Sequence, residues 1–173
     1  MAEELTQFVN EPIEVSGLPF LDEGDFLPLH KEYLYVRLVG AIILFAFLAA
    51  VGVFVYFKTD LAIWQIYLPL AILAVANITL HILGFSKKGY LMRTHDISYK
   101  RGLIFHKRTT VPLVRIQHSE VIQGPLQRLF DLATVKIYTA GGQQSDLSIP
   151  GLTPQEAAKV RDFINKKVQD HAA

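Results

Sequence analysis

Residues 38–57 read LVGAIILFAFLAAVGVFVYF, and residues 61–84, LAIWQIYLPLAILAVANITLHILG, follow after only Lys58, Thr59 and Asp60. The first run is twenty residues long without a charge, and at about 1.5 Å per residue it spans a hydrocarbon core of roughly 30 Å. It is apolar all round and lacks the polar stripe of a soluble core helix. The second run is of similar length but carries Gln65, Pro69, Asn77, Thr79 and His81. So short a link makes the two antiparallel, a helical hairpin whose outer ends emerge on one side of a membrane. Tyr33 and Tyr35, Tyr56 and Phe57, and Trp64 and Tyr67 fall where interfacial aromatic belts are expected.

Working outward, Lys31, Arg37, Lys87, Lys88 and Arg93 flank the outer ends, whereas the link offers only Lys58. This asymmetry predicts that both termini lie in the cytoplasm. The first run starts too late, is too long and follows too acidic a leader to be a cleaved signal peptide. The 173 residues then divide into an acidic, mostly irregular leader (1–33), a transmembrane hairpin (34–85, with helices near 38–57 and 61–84) and one small cytoplasmic domain (86–173). With no cysteine in the chain, disulfides and thiolate chemistry are excluded.

The net charge of +1 hides an asymmetry. Residues 1–30 hold seven acids and no Lys or Arg, while residues 86–173 hold fourteen Lys and Arg against seven Asp and Glu, a net of +7. A basic domain tethered within a few residues of anionic headgroups gains on the order of 1 kcal/mol per side chain close to that surface. The domain is expected to rest against lipid or against its own leader. The leader's apolar spots, Phe8 and Val9, Leu18 to Leu21, and Phe26 to Leu29, are candidate docking segments among its acids.

Beyond Lys88 the pattern changes to short β-prone runs: Tyr90 to Arg93, Ile97 to Tyr99, Leu103 to Lys107, Thr110 to Gln123 broken near Pro112 or His118, Thr134 to Thr139, and Gln144 to Ile149. Ala133, Val135 and Ile137 alternate with polar neighbours, as in a strand with one buried face. Turns are expected at Lys100-Arg101-Gly102 and Ala140-Gly141-Gly142. Gly124-Pro125 opens a short helix through Phe130. Thr153, Pro154 and Glu156 form a capping box for a final helix that presents Ala157, Val160, Ile164 and Val168, joined by Phe163, on one face. The fold class is α+β: a transmembrane hairpin followed by a small β-barrel or sandwich capped by a C-terminal α-helix.

This arrangement, with Val111-Pro112 leading to Arg115-Ile116-Gln117, then Gln123-Gly124-Pro125-Leu126 with Arg128 and Phe130, Thr139-Ala140-Gly141, and Ile149-Pro150-Gly151-Leu152, resembles the bacterial pleckstrin-homology-like (PH-like) membrane proteins of the YdbS type. The resemblance covers roughly residues 30 to 170. Members of that type also place two transmembrane helices directly before the domain. Asp131 stands where the pattern has a glycine, and Asp tolerates left-handed backbone better than most residues. The resemblance implies a PH-like fold, which does not by itself give a function. Eukaryotic relatives by fold often bind phosphoinositide headgroups through basic residues between their first strands. Lys100, Arg101, Lys107 and Arg108 form a comparable basic hairpin here, the candidate lipid- or partner-binding surface.

No catalytic or metal-binding constellation is present: there is no HExxH, no GxSxG elbow and no phosphate-binding glycine loop. Neither an enzyme nor a cofactor is expected. Nucleic acid is a poorer partner than lipid, because the tether makes anionic lipid the nearer polyanion. The sequence therefore predicts an interaction module at the bacterial inner membrane that binds a protein partner or anionic lipid. The alternative is a subunit of an oligomeric or transport-related membrane assembly, packed through Asn77 and His81, which lie four residues apart on one face of the second helix.

Overall fold

The computed structural model describes residues 26–59, 62–140 and 145–172. The leader spots at Phe8, Val9 and Leu18 to Leu21, the Asp60–Leu61 link, the Gly141-Gly142 turn and the expected strand start at Gln144 lie outside the described residues.

Two helices, α1 (Glu32–Tyr56) and α2 (Ile63–Phe85), form the antiparallel pair that the apolar runs predict. At 25 and 23 residues, each exceeds the thickness of a hydrocarbon core. Burial distinguishes them from the core helices of a soluble protein, since only 11% of the most apolar window of α1 and none of that of α2 is covered by protein. Their close approach is set by small residues: a Cβ on Gly52 would come within 3.1 Å of Ile66, and the Tyr67 hydroxyl donates to the Ala49 carbonyl at 3.1 Å. The second contact gives a phenol at membrane depth the acceptor it needs.

The rest of the described chain builds two antiparallel sheets. One has the order β1 (Leu27–Pro28), β2 (Gly89–Met92), β3 (Asp96–Arg101) and β4 (Lys107–Pro112). The other runs β5 (Ile116–Ile122), β6 (Ala133–Thr139) and β7 (Leu147–Leu152). A 3-10 turn at Leu113–Arg115 carries the chain from the first sheet to the second, and α3 (Pro125–Leu129) lies between β5 and β6. Ile97, Tyr99, Val111, Ile116, Val135, Ile137, Ile149 and Leu152 fill the core. Each such aliphatic side chain contributes about 1.5–3 kcal/mol when withdrawn from water. Asp131, at φ 49°, makes the left-handed reversal from α3 into β6.

The open end of the core is closed by α4 (Pro154–Ala172) through Ala157, Val160 and Ile164, with Val168 packed at the margin. Phe163 is a correction to the sequence reading, for it lies off this face and is 37% exposed. The capping box is present: Thr153 N–H donates to Glu156 Oε2 at 3.0 Å, and Glu156 N–H donates to Thr153 Oγ1 at 3.2 Å. His30, from the leader, also meets Glu156 Oε2 at 2.8 Å. Partial burial pushes the Glu156 carboxyl up, but the bonds from Thr153 and His30 outweigh it and hold its pKa below the ordinary carboxylate value.

Two further differences from the sequence reading concern local signals. Leu103 to Lys107 reads as a strand, yet Arg101 pairs with Lys107, so residues 102–106 are the hairpin turn. Gly102 makes the turn at φ 114°, where any Cβ would overlap the Phe105 carbonyl. The leader does not end irregularly either: Leu27 pairs with Tyr90 and Pro28 with Gly89, while Leu29 is 4% exposed in the core. Two residues are too few for any periodicity to register. Their pairing nevertheless covers the outer edge of β2, which would otherwise present unpaired backbone groups.

The junction between domain and hairpin is tight at Gly151, which has φ 72° and whose added Cβ would lie 2.8 Å from Tyr33 Cβ. Gly151→Ala therefore combines a left-handed backbone cost of about 1–2 kcal/mol with a steric collision, and a lowered Tm in detergent is the expected reading. Thr153→Ala should cost about 1 kcal/mol through loss of the cap. Because folding lowers the Glu156 pKa, its stabilisation is complete above the unfolded carboxylate pKa and is lost as pH falls through the lower folded value. The Tm advantage of wild type over Glu156→Gln should accordingly shrink once pH drops below about 4.

Candidate anion and lipid interface

The four basic residues picked out by sequence come together on the β3–β4 hairpin. Lys100 faces Arg108 and Arg101 faces Lys107 as direct cross-strand partners. Like charges placed opposite one another are unfavourable in a ladder. With His106 they line a cavity of about 340 Å³, completed by Ser86 and Lys87 from the end of α2. Among the described residues its lining holds no Asp or Glu. Lys87 and Ser86 were not legible as part of it, because a lysine just beyond a transmembrane run has the same sequence signature when it merely fixes topology.

The turn that closes this hairpin is apolar and exposed: Ile104 is 71% and Phe105 87% accessible. Leu103 lies beside α2, its Cβ 3.8 Å from where a Cβ on Gly84 would sit, and the turn shares a shallow cleft with Leu80, Gly84 and Lys88. The tip is thus held level with the last turns of a membrane-spanning helix. The hairpin thus joins an exposed apolar tip to cationic strands.

The leader reaches the same surface. Phe26 is 8% exposed, with Lys100 Nζ 4.7 Å and the Arg108 guanidinium 5.0 Å from its ring centre. Two cations against one aromatic ring are favourable by cation–π attraction, about 0.5–1 kcal/mol each at exposed sites. Of the three apolar spots read in the leader, the one within the described residues docks on the basic domain.

Asn77 and His81 share one face of α2, as their spacing requires, and are half-buried. They line a cleft of about 380 Å³ with Val36, Arg37, Gly40, Ala41 and Leu44 of α1 and Leu126 of α3. Their polar face therefore turns toward elements of the same chain. Thr79, off to the side, returns its hydroxyl to the Val75 carbonyl at 2.8 Å.

A two-sheet domain closed by a C-terminal helix and carried on an apolar helical hairpin defines a PH-like membrane protein. The family model described as "Bacterial PH domain" matches residues 26–168, and the chain belongs to that family. The match starts at Phe26, where the leader joins the sheet. Over 77 residues the chain is 42% identical to the UPF0699 transmembrane protein YdbS of Bacillus subtilis (strain 168), covering 44% of this chain and 46% of that protein. It is also similar to the UPF0699 transmembrane protein YdbT of the same strain, 23% identical over 101 residues, or 58% of this chain and 20% of that protein. The matched segments thus span under half of YdbS and a fifth of YdbT. No solved structure matches the chain.

Removing the Phe26 ring should release the leader strand from the sheet edge. For Phe26→Ala, hydrogen exchange is expected to accelerate in residues 26–30 and β2 while β6 and β7 keep their protection; unchanged exchange in β2 would show that the aromatic contact does not hold the strand.

Proposed function

We propose that this protein is a non-enzymatic module that holds its PH-like domain against the cytoplasmic face of the bacterial inner membrane, where the β3–β4 hairpin engages anionic lipid. The excess of Lys and Arg at the outer ends of the hairpin supports cytoplasmic termini. In this reading residues 1–33 are a leader, 34–85 the membrane hairpin and 86–173 the lipid-contacting domain, to which the leader lends strand β1. The carrying observation is the pairing of Lys100 with Arg108 and Arg101 with Lys107 behind an exposed Ile104-Phe105 tip beside the end of α2. A binding surface for a soluble partner protein gains nothing from that depth. The oligomeric alternative, packed through Asn77 and His81, has less support, because both side chains line a cleft formed with α1 and Leu126.

The chain has one tryptophan, Trp64, near the opposite end of α2. Trp64→Phe with Phe105→Trp therefore reports on the tip alone. In nanodiscs of neutral lipid with increasing phosphatidylglycerol, its emission should shift to the blue and be quenched by brominated chains. Replacing Lys100, Arg101, Lys107 and Arg108 by Gln should weaken the dependence on anionic lipid at least fivefold. Solvent-like emission at every lipid composition would overturn the lipid reading.

A further inference from the structure

A second cationic cavity lies between the hairpin and the domain. It measures about 430 Å³ and receives Arg37 from α1, Lys88 from the α2–β2 link and Arg101 from the end of β3. Tyr99, Thr134 and Ser148 face it from the two sheets. Among the described residues its lining holds three cations and no carboxylate.

The cations act on one another. Burial lowers the pKa of Lys88, and the charges of Arg37 and Arg101 lower it further. Its ammonium lies 5.2 Å from the centre of the Tyr33 ring, a weak partner for a partly desolvated charge. Tyr99 is pushed up to about 12, chiefly by burial, so it remains a neutral hydroxyl able to donate. Gln127 and Thr134 bond to each other at 2.8 Å, which fixes that wall. Three cations lining one cavity with hydroxyl groups and no acid suit a multiply charged oxyanion.

The cavity also adjoins the cleft between the membrane helices. Val36 and Arg37 line both it and the neighbouring cleft, whose wall combines Gly40, Ala41, Leu44 and Leu126 with Asn77 and His81 of α2. Basic pockets beside transmembrane helix ends are suited to lipid headgroups. A phosphate seated among Arg37, Lys88 and Arg101 would lie beside that cleft.

We propose that the junction cavity binds one phosphate-bearing anion through Arg37, Lys88 and Arg101. The proposal rests on the membrane hairpin but not on lipid binding by the β3–β4 hairpin. A bound anion would neutralise the junction and couple the domain to the helix pair. The source is either a phospholipid headgroup or a free phosphate compound, and the two are separable.

The test is native mass spectrometry of the full-length protein, released from detergent in the presence of phosphatidylglycerol, beside calorimetric titration with glycerol 3-phosphate. One retained lipid per chain is expected. Arg37→Gln and Lys88→Gln should lower its occupancy at least tenfold, Lys88→Arg should restore it, and Lys107→Gln with Arg108→Gln should leave it intact. Ser148→Glu, which places a carboxylate in the cavity, should displace the lipid without loss of fold, so the test survives misfolding of a cation variant. Glycerol 3-phosphate binding with the same dependence on Arg37 and Lys88, and no retained lipid, would support the site and assign it to a free phosphate. Failure of both ligands to bind, or binding indifferent to Arg37, Lys88 and Ser148, would overturn the proposal. Loss of lipid only with Lys107 and Arg108 would overturn it while leaving the hairpin reading standing.

Discussion

Leu27 pairs with Tyr90 and Pro28 with Gly89 across the entire membrane hairpin. The chain enters the first sheet, leaves to cross the apolar layer twice, and returns to the adjacent strand of the same sheet. This ladder ties the two outer helix ends together and fixes their distance from the domain. The domain is consequently seated on the hairpin instead of hanging from its end. The seat is reinforced where Tyr33 presses on Gly151, where Leu126 meets Gly40, and where Leu103 meets Gly84. Only the first requires its glycine, since a Cβ on Gly151 would lie 2.8 Å from Tyr33, whereas one on Gly40 or Gly84 would meet its neighbour at ordinary van der Waals distance.

That seating decides the electrostatics. A domain with a net charge of +7 seated on the hairpin in this way holds its cations in a nearly fixed geometry. The hairpin cations flank the turn that carries the exposed Ile104 and Phe105, while Arg37 and Lys88 lie near the outer helix ends. Arg101 lines both the hairpin cavity and the junction cavity. The two positive regions therefore share one guanidinium, and an anion in either changes the field felt in the other. The leader enters the same balance through Phe26, which packs on Lys100 and Arg108 immediately after an acidic stretch.

Several features were legible because their cause is local. Twenty consecutive apolar residues admit few environments, and the Thr153–Glu156 box is a short-range exchange of hydrogen bonds. Asp131 adopts the left-handed backbone its position implies. The alternation in Ala133, Val135 and Ile137 matches their burial in β6, although Thr134 between them is buried as well, bonded to Gln127. The basic hairpin was also readable, since two short basic clusters flank one turn. Misreadings arose where local chemistry is ambiguous: Leu103 to Phe105 are as apolar as a buried strand but are exposed at a turn. Phe163 stands next to the buried stripe of α4 without joining it.

The sequence by itself determined the membrane hairpin, the α+β class with its final capped helix, and the clustering of cations on one side, because hydropathy, turn chemistry and charge act over a few residues. Tertiary structure decided where those cations point. Arg37, Lys88 and Arg101 are far apart in the chain, and Lys88 reads as an ordinary topology signal until folding brings the three around one cavity. It also decided that Phe26 to Leu29 belong to the domain, since a two-residue strand has no periodicity and is specified only by the open edge it covers.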